Sequence, residues 1–121
     1  MSKSAFSAKV FAVYLFLVGP ILVVAPNFLL SLFLMPPTSE VWIRVVGVIV
    51  FMLGIYAWVA AKHELTPFLV ASVYTRAAVC AALLIFAVTG LASPMIILFG
   101  VIELLGAIWT YLALKADART V

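Results

Sequence analysis

Charge is the scarcest property of this chain. Only 9% of its 121 residues are Asp, Glu, Lys or Arg, whereas a soluble globular domain carries about a quarter. With 69% hydrophobic residues and a mean hydropathy of +1.39, the sequence excludes a water-soluble fold and indicates an integral membrane protein. Cysteine and histidine are nearly absent as well. A lone Cys80, inside an apolar stretch, rules out an intrachain disulfide framework and a thiolate metal site. A lone His63 rules out a centre built from several imidazoles and a haem held between two histidines of one subunit. No phosphate-cradling glycine loop, dinucleotide fingerprint, zinc-protease motif or nucleophile elbow is found, so neither a cofactor nor a metal is expected. The net charge of +3 is too small and too dispersed for nucleic-acid binding and reads instead as topology information.

What is present is four apolar stretches, each long enough to cross a hydrocarbon core about 30 Å thick. They run over about 6–25, 41–61, 67–89 and 94–114, and together they use up residues 1–121 as one domain. The first follows Lys3 and Lys9, as a secretory signal would. A cut after Ala25 would leave Pro26 at the new terminus with no small-x-small triplet before it, so a retained span is expected. Gly19-Pro20 predicts a kink within it. A further apolar stretch, Asn27 to Met35, opened by Pro26 and closed by Pro36-Pro37, is too short to cross and predicts an interfacial or re-entrant helix. The fold class expected is therefore all-α, an integral membrane four-helix bundle. Lys3, Lys9, Lys62, Lys115 and Arg119 fall on one side and Arg44 near the other, which predicts an inner (cytoplasmic) membrane protein with both termini cytoplasmic.

Arg76 and Glu103 are the two charges that lie deep inside apolar stretches, nine residues past Pro67 and Pro94 respectively. At about 1.5 Å per residue each sits roughly 14 Å along its helix, so antiparallel third and fourth spans bring them level. A charge in hydrocarbon is costly and commonly functional, which makes this pair the candidate catalytic or binding centre. Ser72 and Thr75 share the Arg76 side of the third span, with Cys80. Gly106, Ala107 and Thr110 share the Glu103 side of the fourth. The two hydroxyls of Ser72 and Thr75 are expected to satisfy spare valences of the pair.

On the second span Arg44, Gly47, Phe51, Gly54 and Trp58 recur near heptad spacing. Glycines there serve helix packing, or admit a flat ligand to a slot between the second and fourth spans with Arg44 at its mouth. Arg44 alone can also snorkel to head groups. Trp42, Trp58, Trp109, Tyr56 and Tyr111 can serve as interface anchors, which accounts for Trp42 and Tyr111 near span ends, whereas Tyr14, Tyr56 and Tyr74 lie deeper and are expected to point inward. His63-Glu64 reads as a solvated loop.

The string Trp42-Ile43-Arg44-Val45-Val46-Gly47, followed by Gly54, resembles the arginine-and-glycine pattern of the DoxX-like superfamily of small four-helix membrane proteins. The proline-bounded stretch Pro26 to Pro36 is similar too. The resemblance covers the first half of the chain and does not extend to Arg76 or Glu103. It implies a four-helix bundle, with roles ranging from quinone-linked redox membrane subunits to assembly factors.

Three functions are compatible with these residues. The first is binding of a lipophilic or amphipathic small molecule or lipid within the bundle, with Glu103 as a general acid or base if proton transfer or isomerisation occurs there. The second is a small oligomeric proton-coupled transporter, and the third a non-catalytic membrane subunit or assembly factor. The expected partners are the bilayer, the lipophilic ligand and, for transport, further copies of the chain.

Overall fold

A computed structural model describes residues 1–119, Arg119 by its backbone alone, so the expectation for that side chain's charge lies outside the described residues. Five α-helices form: α1 (Lys3–Val24), α2 (Pro26–Leu32), α3 (Trp42–Lys62), α4 (Thr66–Val88) and α5 (Ile97–Arg119), the last preceded by a 3-10 turn at Pro94–Ile96. There is no strand among the described residues. α1, α3, α4 and α5 are each long and apolar enough to cross a membrane.

Local chemistry sets the boundaries. α1 starts earlier than hydropathy indicates because the Ser2 side chain accepts the Ala5 N–H as an N-cap. Pro67 occupies the first turn of α4, where its missing N–H costs nothing. α3 ends where Glu64 takes φ 51°, and α4 ends before Gly90 at φ 79°. α2 is a single short helix of seven residues, opened by Pro26 and ended at Leu32, just before Leu34 takes φ 56°. α5 runs beyond Leu114 because its charged last turn is held by the amino-terminal segment, as described below.

The four long helices alternate in direction, and their packing is uneven. α1 is the hub: it lies against α3 along its length and against α5, while α4 pairs with α5. Small residues permit this. Ala5, Ala8, Ala12 and Gly19 of α1 meet Gly47, Gly54, Ala57 and Ala61 of α3, all of them buried. At the tightest point a Cβ on Gly47 would stand 2.7 Å from the Gly19 carbonyl oxygen, and one on Gly19 would stand 2.9 Å from that of Gly47. Only backbones without side chains approach so closely. Pro20 is accommodated within α1, one residue from that crossing.

At the end carrying the termini, polar groups tie three segments together. The Ser2 N–H donates to Glu64 Oε1 at 2.7 Å, and the N–H groups of Lys3 and Ser4 donate to the Asp117 carboxylate at 3.0 Å each. The Ser4 hydroxyl adds a 2.5 Å bond to Asp117. These carboxylates satisfy first-turn donors of α1 and complement its dipole. Beneath them Ala5, Ala8, Ala61 and Leu69 form a buried apolar cluster. At the opposite end Phe33 stacks on Phe99 with ring centroids 4.1 Å apart, fixing the segment after α2 against the start of α5. Arg44 donates to the Val23 carbonyl, one of those that the end of α1 leaves without a helical partner.

Most of the remaining surface is apolar. In α4 only Leu69 and Arg76 are buried, and large side chains such as Val79, Leu84 and Ile85 face outward.

Candidate functional site

Arg76 and Glu103 meet. α4 and α5 are antiparallel neighbours, and Arg76 Nε, near the middle of α4, donates at 3.1 Å to Oε2 of Glu103, two turns into α5. The two side chains are 9% and 14% exposed, so the pair is shielded without being sealed. Two further features hold the arginine. Its guanidinium carbon lies 3.7 Å from the centre of the Phe11 ring of α1, a cation–π contact. On the α5 side, Gly106 supplies a notch, because the guanidinium fills the space a Cβ on residue 106 would need.

The pairing is single-pronged, and this is the chemically informative detail. A guanidinium carries five N–H donors, and the link to Glu103 uses only the one on Nε. The terminal nitrogens of Arg76 bond no described residue, nor does Glu103 Oε1. No side-chain polar atom among the described residues is fully buried without a partner. The spare donors of Arg76 are therefore not fully buried, and Arg76 lines a cavity of about 240 Å³ between α1 and α5. Arg76 lines it together with Ser7, Phe11, Tyr14, Gly106 and Trp109. It opens outward past Val10 and Trp109, which are 40% and 43% exposed. At its inner edge the Ser7 and Thr110 hydroxyls share a buried 2.9 Å hydrogen bond, and Ser7 also donates to the Ser4 carbonyl at 2.7 Å.

Several residues expected at the site lie elsewhere. The slot between the second and fourth spans does not form, because α1 occupies the face of α3 that would have lined it. Gly47 meets Gly19, and Gly54 meets Leu15 and Phe16. Phe51 and Trp58 pack on Phe16 at centroid distances of 5.3 and 6.1 Å. Small residues let α1 come close enough to take that position. Arg44 is consumed at the far end of α1 rather than at a cavity mouth. Ser72 and Thr75 turn back onto their own helix, donating to the Leu69 and Ser72 carbonyls at 2.7 and 3.2 Å, so neither serves the ion pair. A carbonyl one turn back is always within a hydroxyl's reach. Tyr56 and Tyr74 point outward, 64% and 73% exposed, and only Tyr14 of the deeper tyrosines faces the cavity. Thr110 is at the site, bonded to Ser7.

Ser7, Val10 and Phe11 were not anticipated as site residues. The signal that could have found them is the small-residue stripe Ser4, Ala5, Ser7, Ala8, Ala12 and Gly19, which marks α1 as the helix others pack on. Comparison with family models, with curated proteins and with solved structures finds no match to this chain.

Proposed function

We propose that the chain is a multi-pass membrane protein that binds an amphipathic molecule from the bilayer, anchoring an anionic or carbonyl oxygen of its head on Arg76. The four spans and the outward-facing apolar side chains support the membrane placement, since that surface matches hydrocarbon rather than water. The positive excess at the end carrying the termini supports a cytoplasmic position for both in an inner membrane. The short helix α2 would then lie at the opposite interface. The resemblance to DoxX-like proteins is compatible with this architecture, but it contributes no residue of the cavity.

The single observation carrying the ligand reading is the one-pronged Arg76–Glu103 pair on a cavity wall. A purely structural neutralisation would favour two parallel bonds, which use both oxygens and strengthen the pair. Here Glu103 holds the guanidinium by its inner nitrogen and leaves the outer donors presented to the cavity. At about 240 Å³ the space is smaller than the roughly 300–1,000 Å³ of drug-sized pockets, so it suits a head group or ring whose tail leaves between α1 and α5. The aromatic faces of Phe11 and Trp109 suit that apolar part. In this reading Arg76 is the anchor, Glu103 positions it, and Tyr14 adds a hydroxyl.

A photoactivatable fatty acid tests it, because its carboxylate suits Arg76 and its label maps the contact. Crosslinks are expected on α1 and α5 around Val10, Ile102 and Trp109. They should fall sharply in Val10→Trp, which obstructs the opening, and in the double variant Arg76→Met/Glu103→Leu, which removes the anchor without leaving a lone charge. Labelling of those peptides that is unchanged in both variants would overturn the proposal.

A further inference from the structure

We infer that a second site, the groove between the outer faces of α4 and α5 near the termini, holds an anionic phospholipid. The inference rests on the membrane placement above and is independent of the Arg76 cavity. The groove measures about 480 Å³, with Val70, Val73 and Leu114 among its apolar walls and Tyr74, Tyr111 and Lys115 as its polar groups. The order of these groups along the helices is what selects the occupant. Lys115 lies four residues beyond Tyr111 toward the end carrying the termini, about 6 Å at helical rise, and its ammonium sits 4.8 Å over the Tyr111 ring. Tyr74 on α4 lines the same groove, eight residues or about 12 Å from the start of its helix. The cation is outermost, the phenols sit deeper, and the apolar walls complete the groove.

A phospholipid presents the complementary sequence: phosphate outermost, ester oxygens beneath it, acyl chain below. Neither Tyr74 nor Tyr111 hydrogen-bonds any described residue, and both are substantially exposed on the apolar outer surface. Ester carbonyls would meet that need, since a phenol in an apolar setting requires a partner. Glu64 and Asp117 accept bonds from the amino-terminal segment of α1, and among the described residues Lys115 is the charged side chain that lines the groove. Basic pockets between spans on the cytoplasmic side select anionic head groups.

The test is retention of lipid by the full chain reconstituted in vesicles of equal parts phosphatidylglycerol and phosphatidylcholine, then extracted gently and weighed by native mass spectrometry. The wild type should retain phosphatidylglycerol in preference. Lys115→Gln, at an exposed position that does not threaten folding, should reduce that preference about fivefold, the effect of one basic residue at an anionic surface. Tyr74→Phe with Tyr111→Phe should lower retention of both lipids, whose ester groups are identical. Val10→Trp should leave the preference unchanged. Equal retention of the two lipids by the wild type, or an undiminished preference in Lys115→Gln, would overturn the inference. Loss of the preference in Val10→Trp alone would assign the lipid to the Arg76 cavity instead and overturn it equally.

Discussion

The α1–α3 seam and the α4–α5 seam use the same four-span framework in opposite ways. Between α1 and α3, glycine meets glycine at a backbone crossing and buried alanines line both helices, with no ion pair across the contact among the described residues and with Lys9 and Arg44 touching only toward its two ends. Between α4 and α5 a guanidinium and a carboxylate meet well inside both helices, only two residues of α4 are buried, and a cavity opens beside the pair. Interiors that transmit no chemistry can be filled to crystal-like density, whereas a site must leave donors unfilled and space beside them. One seam is packed for close contact and the other carries the candidate site, with α1 contributing to both through different faces.

The largest effect should come from halving the charge pair. Arg76→Met leaves Glu103 shielded and unpaired, and loss of one partner of such a pair costs about 3–5 kcal/mol. Thermal unfolding in mild detergent should drop accordingly. The double variant Arg76→Met/Glu103→Leu should recover most of that loss, because apolar replacement of a buried pair is often neutral, while ligand labelling stays abolished. A double variant as unstable as the single one would show that the pair is needed for the fold and would erase the contrast between the seams.

Next comes the apolar seam. Gly47→Leu places a side chain where the Gly19 carbonyl oxygen and Leu22 already stand, and overpacking of this kind costs about 1–3 kcal/mol or more. The protein should melt earlier, yet the fraction that remains folded should label with the fatty acid as the wild type does. A smaller substitution sharpens the comparison from the other side. Gly106→Ala intrudes on the Arg76 guanidinium, the tip of a flexible side chain, so the arginine shifts. We expect a melting change smaller than that of Gly47→Leu but a ligand affinity loss that Gly47→Leu does not show, read by titration of the same probe.

The smallest effect concerns pH. Glu64 lies in the α3–α4 connection, and hydrogen bonds from Ser2 hold its carboxyl below its ordinary value. A carboxyl that is more acidic when folded adds stability above its unfolded pKa, and the contribution is lost as pH falls through the lower folded value. Acid melting curves of Glu64→Gln should therefore be flatter than those of the wild type below about pH 4, and indistinguishable near neutrality in their slope with pH. Equal acid slopes in the two proteins would remove Glu64 from the clamp at the termini.

Spans and pairing were legible in the sequence for a simple reason. Length and hydropathy define a crossing helix without reference to its neighbours, and equal spacing of Arg76 and Glu103 from helix-opening prolines brings them level whatever else the bundle does. Which helix sits beside which was not legible. Spans that are apolar on every face give no polar side to exclude, so the glycine stripe of α3 named a close contact without naming its partner. The partner is α1, and that assignment displaced Arg44, Gly47, Phe51, Gly54, Trp58 and Tyr56 from the site while bringing in Ser7 and Phe11. Ser72 and Thr75 were misread for a different reason: a hydroxyl on a helix can be satisfied by its own backbone, which face-by-face reasoning overlooks.

The central claim is that Arg76 presents its terminal nitrogens to a bilayer amphiphile. Crystals grown in lipid and diffracting well enough to resolve head groups test it most directly. Elongated density is expected to enter between α1 and α5 past Val10 and Trp109 and to end within hydrogen-bond distance of the Arg76 terminal nitrogens. Density showing those nitrogens bonded to both oxygens of Glu103, with the cavity closed by side chains, would contradict it.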